Sequence, residues 1–288
     1  MKRKNINPYL ILLLALFLSA CSKEEKIKQT PILGLGGDTW VNGPIDDWLK
    51  KEFLDPYNIE VKYRWDPYEL NYVKSIVPIR EEKIQPSMSS VREIWIKPYV
   101  KVAGDSFIKK YAPKQFVLAG SAEWNNDGTI VLGQAEGGRK IVLLLLNEFD
   151  AKDKPQVERM LHTMHHEFAH ILHQTKLYPL EWKALNPEWY TATWFNNTDD
   201  VAHQQGLISA YAKANADEDF VETVSFLLVY GQAHFDAVVN KANVSAKAKA
   251  ILRKKEAMIV DYFTKQYQID FRALQRETQS ALAAFLAQ

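Results

Sequence analysis

The chain has 288 residues, 25% of them charged, and its 36 lysines and arginines nearly balance 35 aspartates and glutamates, leaving a net charge of +1. That balance lacks the basic footprint of a nucleic-acid binder. One cysteine excludes an intramolecular disulfide framework, so a core must hold the fold, and the roughly 260 residues behind the N-terminal segment suffice for one large domain or two small ones.

Residues 1–20 read as an export signal. Lys2, Arg3 and Lys4 give a positive start, residues 9–17 form an apolar run too short to span a bilayer comfortably, and small residues follow at Ser19 and Ala20. Removing the segment takes the net charge to −2. Leu18-Ser19-Ala20-Cys21 resembles the lipobox of bacterial lipoproteins, in which cleavage precedes the cysteine and the cysteine carries the lipid. This resemblance makes Cys21 the expected lipidation site and residues 21–31 a tether. Several acyl chains, at about 0.8 kcal/mol per buried methylene, hold a protein stably on a membrane. Ser22-Lys23-Glu24-Glu25 resembles the acidic tag that sends some lipoproteins to the outer face of the outer membrane, although any charged tether has this composition.

The remainder, 32–288, reads as one α+β domain with a mixed part at 32–150 and a helical part at 151–288. Residues 44–54 predict a helix, with Pro44, Asp46 and Asp47 in its first turn. Residues 59–65 alternate as a strand. Residues 68–84 and 91–111 predict helices kinked or split at Pro78 and Pro98. Strands are expected at 115–119, 129–132 and 140–146, with turns at 125–128 and 136–138, giving a small, mostly antiparallel meander.

From Pro155 the pattern is helical, with Asp153 as the expected cap. Val157, Met160, Leu161, Met164, Phe168, Ile171 and Leu172 form one apolar stripe, and later helices are expected at 217–229, 246–268 and 271–286. Between them, residues 177–206 crowd Trp182, Trp189, Tyr190, Trp194 and Phe195 into a long connection. These aromatics either wall a cleft or anchor the connection on the core.

Within the first of these helices stands His166-Glu167-Phe168-Ala169-His170. Residues four apart share a helix face, so His166 and His170 can direct nitrogen lone pairs at one ion, expected to be Zn2+. Glu167 is rotated off that line and can act as base toward a water that the metal activates. Five of the seven histidines fall between positions 162 and 173. His162/His166 repeats the spacing, but Thr163 stands where the base belongs. His162, His165 and His173 are therefore read as surface or supporting groups.

Catalytic zinc takes three protein ligands, so one more is required. Asp217, Glu218, Asp219 and Glu222 stand at the start of an apolar helix, and Glu218 and Glu222 share a face. One can bind the metal while the other holds a ligand histidine. Asn215 with Glu218 is also a capping-box pattern.

His-Glu-Phe-Ala-His followed by Glu-Asp-Phe-Val-Glu resembles the gluzincin metallopeptidases, above all the lethal-factor-like enzymes. That resemblance implies a zincin-like fold, Glu218 as third ligand, Glu222 as its supporting acid, and Tyr211, seven residues before Glu218, as donor to the oxyanion. With the lipobox and residues 133–141 (Gly-Gln-Ala-Glu-Gly-Gly-Arg-Lys-Ile), the chain resembles the substrate import-associated zinc metallohydrolase lipoproteins. Val221 stands where alanine is common. This family implies an outer-membrane lipoprotein, facing the surface or the periplasm, that works with a TonB-dependent importer and its surface lipoprotein.

The expected activity is zinc-dependent cleavage of a peptide. A strand such as 140–146 could pair with the extended substrate. The alternatives are a binding or importer-docking lipoprotein with structural zinc, and a hydrolase of a non-peptide amide.

Overall fold

The computed structural model describes residues 40–66, 68–70 and 73–288. The export segment, Cys21 and the tether lie outside the described residues. Chain contacts divide the molecule into Met1–Val41 and Asn42–Gln288, and the architecture below is that of the second unit.

Helix α1 (Pro44–Leu49) continues through a wider π-turn at Lys50–Leu54 to Asp55–Tyr57, and β1 (Glu60–Lys62) follows. Of the helix expected at 68–84, the described residues are helical only from Glu81. Pro78 bridges Ala119 instead. The proline cannot donate to a helical ladder, and the bridge needs nothing from its nitrogen: Gly120 N donates to Val77 O at 2.8 Å, while Pro78 O accepts from Asn147 Nδ2 at 3.1 Å. Helix α2 (Glu81–Ser90) then runs through a π-turn at Val91–Ile96 into Lys97–Ala103. Pro98 does not break it, because the widened turn accommodates a residue without an N–H. The chain breaks instead at Gly104, where φ is 82°, before α3 (Asp105–Tyr111).

Among the described residues six short strands follow the α+β expectation, but their pairing departs from a meander. The main sheet has the order β1, β2 (Gln115–Leu118), β6 (Lys140–Leu143), β5 (Gly133–Glu136). β1 and β2 are parallel, as are β2 and β6; only β5 runs antiparallel to β6. The reason is connection length. The turn at 137–138 forces β5 back along β6, whereas the path from β2 to β6 includes a separate hairpin, β3 (Glu123–Trp124) with β4 (Ile130–Val131), and is long enough for a crossover. Phe116, Leu118, Ile141 and Leu143 face the main helical core, while Val117, Ala119, Val142 and Leu144 pack with Ile76 on the other face.

The HExxH segment lies in α4 (Lys154–Thr175), capped by Asp153, whose side chain accepts from Gln156 N. Every residue of the expected apolar stripe is buried. Phe168 is clamped edge-on between Trp95, at 5.1 Å, and Tyr99, at 5.2 Å between ring centres. After the short α5 (Asp199–Gln204), α6 (Ala216–Val229) packs along α4, and α7 (Gly231–Val239), α8 (Ala246–Tyr267) and α9 (Phe271–Leu286) close the helical half. Among the described residues no helix is long and apolar enough to cross a membrane.

One buried ion pair ties this half together. Lys255 Nζ of α8 lies 2.6 Å from Asp219 Oδ2 of α6 with both side chains inaccessible, and it also donates to Gly206 O at 2.9 Å. Tyr190 Oη donates to the same carboxylate oxygen at 2.9 Å. Burial pushes Asp219 up and Lys255 down, and their mutual attraction opposes both shifts. Removing one member leaves the other charge buried alone. Lys255→Met is expected to cost about 3–5 kcal/mol in chemical denaturation, and Lys255→Met with Asp219→Leu is expected to recover most of that loss.

Candidate metal centre

Two helices and one strand build the site. From α4, His166 and His170 extend from successive turns; from α6, Glu218 meets them. His166 Nε2 lies 3.1 Å and His170 Nε2 3.4 Å from Glu218 Oε2, with 3.2 Å between the two nitrogens. Ligands at 2.0–2.1 Å in tetrahedral array stand about 3.3–3.4 Å apart, so this triangle has the dimensions of three corners of a zinc site. Glu218 Oε2 is also buried without a hydrogen bond of good geometry, despite its closeness to both rings. These donor atoms converge on a common point, and the donor set fits zinc.

The next layer fixes the ligands. Glu222 Oε1 faces His166 Nδ1 at 2.9 Å and His162 Nε2 at 2.8 Å, and Ser209 Oγ donates to Glu222 Oε2 at 2.6 Å. A carboxylate on Nδ1 places the proton there and leaves the Nε2 lone pair free for metal. His170 Nδ1 meets His173 Nε2 at 3.0 Å. Helix α6 presents its two glutamates correctly because Asn215 caps it, accepting from the N–H groups of Asp217 and Glu218 at 2.9 and 3.0 Å. The cap thus exists, and Glu218's side chain goes to the histidines.

Electrostatics sort the acids. Burial alone would raise Glu218, but the two imidazoles outweigh it and hold the carboxyl at about 2; Glu222 is likewise held well below the usual range against burial, by His162 and His166. Burial would lower His166, yet Glu218 and Glu222 push it up to about 10. Glu167 moves the other way, raised by burial.

Glu167 Oε2 accepts from Ala135 N of β5 at 2.7 Å. This bond requires α4 and β5 to approach closely, and Gly133 permits it: a Cβ there would stand 2.3 Å from Thr163 Cγ2. The Tyr211 ring stacks on His166 with centres 5.7 Å apart, and burial first, then the nearby carboxylates, keep its hydroxyl protonated. Tyr211, Glu167, His166, His170 and Glu218 line a single cleft of about 340 Å³.

All residues expected from the sequence in the described region therefore meet at one place. Asp217 and Asp219 turn away, to the Tyr178 hydroxyl and to Lys255. His162 and His173 are supporting groups. His165 is neither surface nor support: it is fully buried against Tyr99, and burial lowers it to about 3. Sequence reasoning missed Ser209, and it missed Ala135, whose contribution is a backbone N–H that no side-chain pattern signals. Of the crowded aromatics, Trp182 anchors the connection in the core against Phe220, while Trp194, edge-on to Tyr211, walls an adjoining cavity that shares His166, Glu167 and Tyr211 with the cleft.

Residues 38–272 match a family described as "Putative zinc-binding metallo-peptidase". The chain belongs to this family. A solved structure of similar fold is the "putative zinc-binding metallo-peptidase" from Bacteroides caccae, 32% identical, with a TM-score of 0.71 over 84% of this chain and 93% of that one. No curated protein matches the chain. Zinc is the family's metal, and the triangle above is where this member can hold it.

Elemental analysis of the chain beginning after Cys21 is expected to find about one zinc per molecule, and Glu218→Ala is expected to remove it. Glu222→Gln keeps the three ligands, so it is expected to weaken zinc affinity by about 10- to 100-fold without abolishing binding.

Proposed function

We propose that this protein is an active zinc peptidase carried on the outer membrane as a lipoprotein. The observation that carries the reading is the position of Glu167: the carboxylate sits beside the three-ligand triangle, held by one oxygen to β5, with the other left for the cleft. A zinc serving structure alone has no use for a carboxylate so placed.

Bound zinc supplies a Lewis acid that polarises a carbonyl and acidifies water. Glu167 Oε1 takes the proton of the attacking water and returns it to the leaving amine. A carboxyl raised by burial is better matched to that exchange near neutral pH than an ordinary one. The Tyr211 hydroxyl, kept protonated, donates to the carbonyl oxygen as negative charge grows there.

The substrate strand belongs beside β5 rather than β6. β6 is enclosed between β2 and β5, whereas β5 has a free edge. Leu144 N donates to Leu132 O, so alternation directs the backbone groups of Gly133 and Ala135 away from β6. An extended peptide can pair with Gly133 and with Ala135 O, which favours a peptide substrate over another amide.

The lipidated N-terminus, outer-membrane location and service to a TonB-dependent importer rest on the sequence resemblances described above. In this arrangement residues 1–20 are removed, 21–31 tether the protein and 32–288 form the enzyme.

Glu167→Gln is expected to retain zinc while losing about 100- to 10,000-fold in kcat on a peptide library; a variant with full turnover would remove Glu167 from its role. Tyr211→Phe is expected to lower kcat by about 100- to 1,000-fold. Intact-mass analysis of detergent-extracted protein should find residues 1–20 absent and acyl mass on Cys21, and a free thiol there would rule out the anchor.

A further inference from the structure

The cleft has two lobes that meet at His166, Glu167 and Tyr211, and they differ in chemistry. One exposes Gln134, Gln174 and Glu218. The other, about 290 Å³, lies between the β3–β4 hairpin and Trp194, with Ile130, Val131 and Leu132 along one wall. The Trp194 ring forms the opposite wall, held edge-on by Tyr211 at 4.7 Å and by Phe195 at 5.8 Å.

The polar side chains around this second lobe are already engaged. Thr163 Oγ1 donates to Arg159 O, and its methyl lies toward Gly133. Glu222 has both oxygens occupied by His162, His166 and Ser209. At the rim, Asn125 Nδ2 donates to Thr129 Oγ1, Asn125 Oδ1 accepts from Lys74, and Thr129 Oγ1 donates to Asp127. Apart from Glu167 and Tyr211, His162 Nδ1 is the buried side-chain atom of this lobe, among the described residues, that lacks a partner, and the half-buried Trp194 indole adds one N–H; these two groups do not replace the water around an ammonium or carboxylate. A charged side chain entering here loses its hydration without compensation, while an apolar one covers apolar walls.

We infer that this lobe is a specificity subsite that selects substrates with a large apolar or aromatic residue directly beside the scissile bond. Trp194 and Ile130 are its determinants. The inference rests on the peptidase reading and adds the class of side chain that the site accepts.

The test uses zinc-loaded Glu167→Gln protein and two series of peptide hydroxamates, each presenting one variable side chain on a different side of the zinc-binding group. In one series, leucine and phenylalanine members are expected to bind at least about tenfold more tightly than alanine, lysine or aspartate members by calorimetry. Trp194→Ala and Ile130→Asp are expected to erase that order while retaining zinc. Binding without side-chain order, an order favouring charge, or an order untouched by both variants overturns the subsite and leaves the peptidase reading standing. Failure of every hydroxamate to bind overturns both. Because binding needs no turnover, an enzyme inactive on peptides still answers the question of the subsite.

Discussion

The packing of α6 along α4 is the constraint on which the site depends. Helix α4 alone offers two imidazoles four residues apart, which is a pair of ligands and no more. Helix α6 supplies both the third ligand, Glu218, and one turn later the acid that orients the first, Glu222. These two carboxylates are placed by one rigid body, so the depth and rotation of α6 set the ligand triangle and the tautomer of His166 together. The apolar run of α6 buries Phe220, Val221, Val224, Leu227 and Leu228, and this burial fixes that depth.

Three consecutive acids at the start of α6 show how finely that rotation matters. Successive helical residues turn by about 100°, so Asp217, Glu218 and Asp219 face three environments. Asp217 meets the Tyr178 hydroxyl, Glu218 the histidines, and Asp219 the buried Lys255. A small rotation of the helix would move Asp219 off its ammonium and Glu218 off the triangle at once. The Lys255 pair is weak evidence for net stability, since desolvation offsets its attraction, but it penalises the wrong rotation. Asn215 adds a second restraint at the same helix end, where the dipole also favours the carboxylates.

Much of this was legible in the sequence because it is local. The α4 stripe, its Asp153 cap, the HExxH face and the shared face of Glu218 and Glu222 all follow from helical periodicity, and helix α9 spans the expected residues. What sequence did not disclose is non-local. The parallel pairing of β2 with β6 depends on where a crossover lands. The β5 strand reads Gly-Gln-Ala-Glu, with no apolar alternation, since it is a sheet edge facing a cleft on one side. The helix expected at 68–84 gives way at Pro78, whose bridge to Ala119 ties the chain to the sheet before helix begins at Glu81. His162 and His173 were visible as residues, but which partner each would orient is a fact of packing. The i,i+3 pair His170/His173 was discoverable from spacing, and Ser209 was not.

Charge balance gives Glu167 its distinct place. The paired imidazoles hold Glu218 and Glu222 ionised, so a divalent cation at the triangle brings this buried cluster close to neutrality. Neither carboxylate is then free to trade protons, because each is held in its charged form by the partners it positions. His173, lowered to about 4 by burial, is neutral at neutral pH, so its Nε2 can accept from His170 Nδ1. Glu167 differs from Glu218 and Glu222 in its partner and in the balance: its hydrogen bond comes from a backbone N–H, and burial outweighs the nearby imidazoles of His166 and His170, so its carboxyl is raised. The strand that donates that N–H is the same one whose free edge can align a peptide. Base and substrate are thereby referenced to one piece of backbone, and Gly133 keeps that backbone close enough to α4 for the contact to exist.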